Sequence, residues 1–188
     1  MITLVTMLCM EHTNTDALLK TWRKKPLFDP ESLPVKLDVA SDSIIKLIPH
    51  RPPLLYVDKI ISIDVSEGLI AASRKLEVDD PVFKGHFPDF PVYPGNFTVE
   101  TIGQAGLCLY YFIANNRSDI ATDAKPVTLR ATKISGALFL EPIFPGDEIT
   151  ILCKKLSWDG YFASILGQAI VRGKVSVVAI GEVMILEE

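Results

Sequence analysis

The chain has 188 residues, the size of one domain that buries roughly 70% of its unfolded surface and needs no disulfide or metal staple. A net charge of −4 and a pI near 5.4 argue against a broadly basic face, so neither nucleic acid nor an anionic membrane is an expected partner. The three cysteines, Cys9, Cys108 and Cys153, match no zinc or redox spacing; free thiols and a cytoplasmic location are expected.

Residues 1–10 are apolar but lack a basic leader and a small-residue cleavage site, and read as a tail rather than a signal peptide. Residues 1–40 form an N-terminal extension. It has a short helix signal near Thr15–Lys24 and then Pro26, Pro30 and Pro34, and is either wrapped on the domain or partly mobile. The domain proper is expected over residues 41–188. It opens with a short helix at Ser41, ended by Pro49 and the Pro52-Pro53 pair. His50 and Arg51 beside those prolines read as structural. Strands are expected at Leu54–Ile63 and Gly68–Glu77, followed by a proline-rich loop over Asp79–Gly95.

Phe97–Ala114 is the longest apolar segment, and Glu100, Gln104 and the small residues Gly103, Ala105 and Gly106 interrupt it. A buried central helix fits this better than a membrane span, with Gly103 and Gly106 as a helix-packing pair. Five strands are expected after it, at Val127–Ile134, Leu138–Ile143, Glu148–Ser157, Tyr161–Arg172 and Val175–Leu186. Pro145-Gly146-Asp147, Asp159-Gly160 and Gly173-Lys174 supply turns. The last three make an antiparallel meander. One apolar helix among consecutive strands implies an α+β fold, an antiparallel sheet curled around one long central helix.

The run Gly85–Gly95 carries the chemistry. Three prolines, Pro88, Pro91 and Pro94, stiffen it within seven positions. His86 at its start can accept a proton near neutral pH. Gly95 at its end opens the long helix, where unpaired N–H groups favour developing negative charge. Glu100 follows within an apolar helix, where desolvation would raise its pKa and keep it protonated. Gln104 lies one turn further on the same face. A base, an acid and an oxyanion site are what β-elimination of water requires. Taken singly, His86 beside prolines and Glu100 near a helix start are ordinary structural residues; their coincidence is what points to chemistry. No metal-ligand spacing is present, and no cofactor is expected.

Gly85-His86-Phe87-Pro88 through Gly95, with Glu100 fourteen and Gln104 eighteen residues beyond His86, resembles the β-hydroxyacyl-acyl-carrier-protein dehydratases of fatty-acid synthesis. Pro49-His50-Arg51-Pro52-Pro53-Leu54-Leu55-Tyr56-Val57-Asp58 is similar to the P-H-R-x-P-x-L-L-V-D run of that family, with Tyr56 departing from it. Pro142–Asp147 is similar to its P-V-x-P-G-D turn. The resemblance implies a hotdog fold, a homodimer or higher homo-oligomer, and sites shared between subunits, with His86 from one chain and Glu100 from the other. It implies that His86 and Glu100 are catalytic, and that Gly95 and Gln104 bind substrate carried on acyl carrier protein or coenzyme A. Asp89, Asn96 and the run Leu138-Phe139-Leu140-Glu141 depart from the pattern, the last where basic residues for a carrier are common; Arg130, Lys133, Lys154 and Lys155 remain as docking candidates. A hotdog thioesterase and a non-catalytic acyl-thioester-binding protein are the alternatives.

Overall fold

The computed structural model describes residues 15–126 and 128–186; the apolar start 1–10, Cys9, His12 and the expected strand start at Val127 lie outside them. Seven strands form one antiparallel sheet: β1 (Val35–Ala40), β2 (Lys59–Asp64), β3 (Leu69–Lys75), β4 (Leu129–Phe139), β5 (Glu148–Trp158), β6 (Phe162–Val171) and β7 (Lys174–Ile185), in the order β1-β2-β3-β5-β6-β7-β4. Helix α1 covers residues 15–22; α2 (Ser41–Ile44), α3 (Val82–Gly85) and the long α4 (Gly95–Ala114) follow.

The topology explains the position of α4. β5, β6 and β7 form the meander, joined by tight turns. Arg172 and Gly173 both take positive φ, as a two-residue hairpin turn demands, and Gly160 does so in the β5–β6 turn. β3 pairs with β5 on one side of the meander and β4 pairs with β7 on the other. The chain must therefore cross the whole meander between β3 and β4, and α4 makes that crossing. It packs on β3, β5, β6 and β7. Its 20 residues span about 30 Å. Ile102, Leu109 and Phe112 are buried with Ile60, Ile70 and Ile151 of the sheet. At its C-terminus Asn116 turns left-handed, and the N–H groups of Asn116 and Arg117 return to Ile113 and Phe112, closing the helix. None of the described helices is long and apolar enough to cross a membrane.

Three expected elements differ. Residues 54–58 are not strand; β2 starts at Lys59. The strands expected at Val127–Ile134 and Leu138–Ile143 are one strand, β4, with register shifts around Lys133–Gly136. β1 lies in the proline-rich run before residue 41, and forms the edge beside β2. Residues 15–27 cover the convex back of the sheet. There Leu19 is buried with Leu166, Val178 and Ile180, and Trp22 and Leu27 pack against them. Gln168, fully buried on β6, accepts from the Leu27 N–H at 2.8 Å and donates to the Trp22 and Lys25 carbonyls, the latter at 2.9 Å. Cys108 and Cys153 are buried free thiols.

Candidate active site

His86 ends α3, at the start of the stiffened loop. Its backbone N–H and C=O bond to the Val82 carbonyl and the Val92 N–H, and its ring nitrogen Nδ1 lies 2.9 Å from the Val92 carbonyl oxygen. A carbonyl only accepts, so Nδ1 carries the proton in the neutral ring and Nε2 is left as the acceptor. The loop thus sets the tautomer of a base, and Phe87 stacks on the ring at 4.1 Å.

Gly95 is the first residue of α4, after Pro94. The helix has no side-chain cap; the Phe97 and Thr98 N–H groups return to the Pro94 carbonyl, and those of Gly95 and Asn96 have no acceptor among the described residues. A β-carbon at Gly95 would stand 2.5 Å from the exposed Phe139 ring, which would have to move to admit one. The helix N-terminus here offers free donors in a confined space.

Glu100 sits in the second turn of α4, its side chain 48% exposed. The structure brings two side chains to it. Gln104 Nε2 donates to Glu100 Oε1 at 2.9 Å, and His50 Nε2 stands 3.3 Å from the same oxygen. Gln104 is fully buried and committed within the chain: Oε1 accepts from the Tyr56 N–H at 2.7 Å, and Nε2 also donates to the Leu54 carbonyl at 2.8 Å. It ties residues 54–56 to α4, which is why that stretch is not strand. Arg74 braces the same stretch, bonded to the Leu55 carbonyl and lying over the Tyr56 and Tyr93 rings.

Two expectations need correction. His50, read from sequence as structural, is a direct partner of Glu100; the Pro-His-Arg-Pro-Pro run was the available signal. The Glu100 carboxyl is also not raised. The hydrogen bond from His50 pulls it below its ordinary value; burial pushes it up, and Gln104 adds to the downward pull. Desolvation was the right effect in the right place, but a histidine from fifty residues upstream outweighs it.

Glu100 opens onto a cavity of about 310 Å³ between α4 and the concave face of the sheet. Asn96, Val99 and Phe139 wall it near Glu100, and Tyr110, Ile113 and Trp158 at the far end. Its lining is apolar apart from Asn96, Glu100, Lys133, Lys155, Ser164, Glu182 and the Tyr110 and Trp158 tips. The size and the mainly apolar lining suit a small, largely apolar ligand. His86 is not among its walls, nor among the bonding partners of Glu100. The single chain therefore joins Glu100, Gln104 and His50 by direct contacts that do not include His86. Of the basic residues, Lys133 and Lys155 line the cavity, and Arg130 and Lys154 are exposed beyond its walls. Among the described residues no group of three or more His, Cys, Asp or Glu side chains is arranged to hold a metal ion.

The sheet curled around α4 makes this a hotdog protein. Its structure is similar to the dehydratase heterocomplex ApeI:P of Xenorhabdus doucetiae, with TM-score 0.58 at 18% identity over 77% of this chain and 91% of that one, a likeness of fold. A family model described as a FabA-like domain matches residues 48–179. The 3-hydroxyacyl-[acyl-carrier-protein] dehydratase FabZ of Granulibacter bethesdensis is 34% identical over 150 residues, 80% of this chain and 83% of its own length. FabZ of Nitratiruptor sp. is 31% identical over 152 residues, 81% of this chain and 99% of its own length. The chain belongs to the FabA-like family.

Proposed function

We propose that this chain dehydrates a 3-hydroxyacyl thioester, presented on an acyl carrier protein, to the trans-2-enoyl thioester, with His86 as base and Glu100 as acid. Two features of the single chain support the reading: a tautomer-fixed His86 on a stiffened loop, and the Glu100 carboxyl on the wall of a largely apolar cavity, which a second copy would bring together. His86 Nε2 takes the proton from Cα. The electron pair of that C–H bond forms the Cα–Cβ double bond as the Cβ–O bond breaks, and the hydroxyl leaves as water with the proton of Glu100. The Gly95 N–H faces the charge that develops on the thioester oxygen. Gln104 acts by positioning: it holds the Glu100 carboxyl and ties residues 54–56 to α4. The dehydratase relatives support the reaction class and the carrier.

The second half of the site comes from a second copy. β4 is an edge strand of 11 residues with no neighbour on its outer side among the described residues, and Ile134 on it is 65% exposed. Such an edge favours pairing with another strand. Joining two copies along β4 would cover the half-exposed Glu100 and bring in the partner's exposed loop with Phe87 and Phe90. Covering Glu100 adds desolvation, which moves the carboxyl upward toward the protonated form that donation needs.

The test is product analysis with 3-hydroxyacyl substrates of several chain lengths, on carrier protein and on coenzyme A. Enoyl thioester formed without free thiol is the expected result. Release of thiol would replace this reading by a thioesterase, and binding without either product by an acyl-binding protein.

A further inference from the structure

Gly103 and Gly106 are both interior residues of α4, where glycine destabilises a helix relative to alanine. Some feature of the structure must favour each, and the two features differ. A β-carbon at Gly106 would stand 2.4 Å from Ile165 Cδ1, so Gly106 lets β6 approach the helix. A β-carbon at Gly103 meets no atom within 4 Å. Gly103 packs against nothing; it borders the cavity one turn after Glu100. Any side chain there projects into open space beside the carboxyl. Along the helix axis Gly103 lies about 4.5 Å beyond Glu100, and about 15 Å of the cavity wall, to Ile113, lies beyond Gly103.

We infer that Gly103 sets the acyl-chain length this enzyme accepts, by leaving the cavity open past the reacting carbons. This rests on reading the cavity as the acyl site. The thioester and Cβ must lie near Glu100 and Gly95, so the chain beyond Cβ has to pass Gly103 to reach the apolar space before Tyr110 and Trp158. A side chain at 103 closes that passage near its mouth. Substrates that end before it lose little, and longer ones lose every contact with the far wall.

The experiment compares wild type, Gly103→Ala and Gly103→Leu on 3-hydroxybutyryl and 3-hydroxydodecanoyl thioesters, with thermal melting and native mass measured for each protein. The expected result is a fall in the long-to-short ratio of kcat/KM, about tenfold or more for Gly103→Leu and smaller in the same direction for Gly103→Ala. The same ratio is read without turnover by calorimetric titration of saturated butyryl- and dodecanoyl-pantetheine into each protein, so an inactive wild type would count against the proposed reaction and leave this inference testable. An unchanged ratio in both assays would overturn it. Loss of the oligomer in both variants would also overturn it, assigning Gly103 to subunit contact instead.

Discussion

The two faces of the sheet use one device for two ends. On the concave side Gln104, and on the convex side Gln168, is a fully buried glutamine whose amide gathers a distant stretch of backbone. Gln168 bonds only to backbone, and fastens residues 22–27 to the back of the sheet. Gln104 fastens residues 54–56 in the same way but spends one further hydrogen bond on Glu100, beside His50. The chemistry-bearing face thus differs from the architectural one by titratable groups added to an ordinary structural clasp. A buried amide by itself says nothing about function; the ionisable groups it touches do.

The largest expected effect lies on the concave side alone. His86→Ala and Glu100→Gln should each lower kcat by about 10²–10⁴. Thermal melting should hardly move, because both side chains are partly exposed and Gln is nearly isosteric with Glu. Activity within a few-fold of wild type in either variant would remove that residue from the mechanism.

Removing the two clasps sharpens the contrast. Gln104→Leu and Gln168→Leu each leave buried backbone groups without partners, at a cost of about 1–3 kcal/mol per group. At the low end of that range the two groups freed by Gln104→Leu and the three freed by Gln168→Leu cost about 2 and about 3 kcal/mol, so melting should fall by roughly 4–8 °C and roughly 6–12 °C. Steady-state rates below the melting range should drop only for Gln104→Leu. Equal rate losses in the two would show that the faces are not functionally distinct.

A charge reversal at the cavity rim tests the carrier. With native mass showing the oligomer intact, Arg130→Glu with Lys133→Glu should raise KM more for carrier-linked substrate than for a pantetheine substrate, since Lys133 also lines the cavity but only the carrier brings an acidic surface. Equal effects on both substrates would reject these residues as the dock.

The smallest effect concerns His50. It holds the Glu100 carboxyl below its ordinary value, so His50→Ala should raise that pKa. If protonated Glu100 is the active form, the alkaline limb of the rate profile then moves to higher pH. The stability consequence has a definite sign. A carboxylate with a depressed folded pKa stabilises the fold above its unfolded pKa, and that share is lost as pH falls through the folded value. Water screens the half-exposed pair, so acid denaturation should shift only slightly. An unmoved rate profile would leave His50 as a mere structural neighbour.

Much of this was legible in the sequence because it is local. The prolines between His86 and Gly95, and the interruption of an apolar helix by Glu100 and Gln104, are patterns within one short run. The turns that set the meander are marked by Asp159-Gly160 and Gly173-Lys174. The missing parts are long-range. His50 reaches Glu100 across fifty positions, and only the folded chain shows that it reverses the effect of burial. The strands expected at Val127–Ile134 and Leu138–Ile143 run on as one through Gly136, where a β-carbon would stand 2.8 Å from Leu19, so the glycine admits α1 to the back of β4. Gly103 and Gly106 look alike in sequence, and only their surroundings distinguish them.

The shared site is tested most directly by mixing two inactive proteins. His86→Ala chains and Glu100→Gln chains, refolded together and purified as the mixed dimer, should regain about half the wild-type turnover, because a two-fold dimer then holds one intact site and one doubly altered one. Mixed dimers that form and stay inactive would contradict a site built from His86 of one copy and Glu100 of the other.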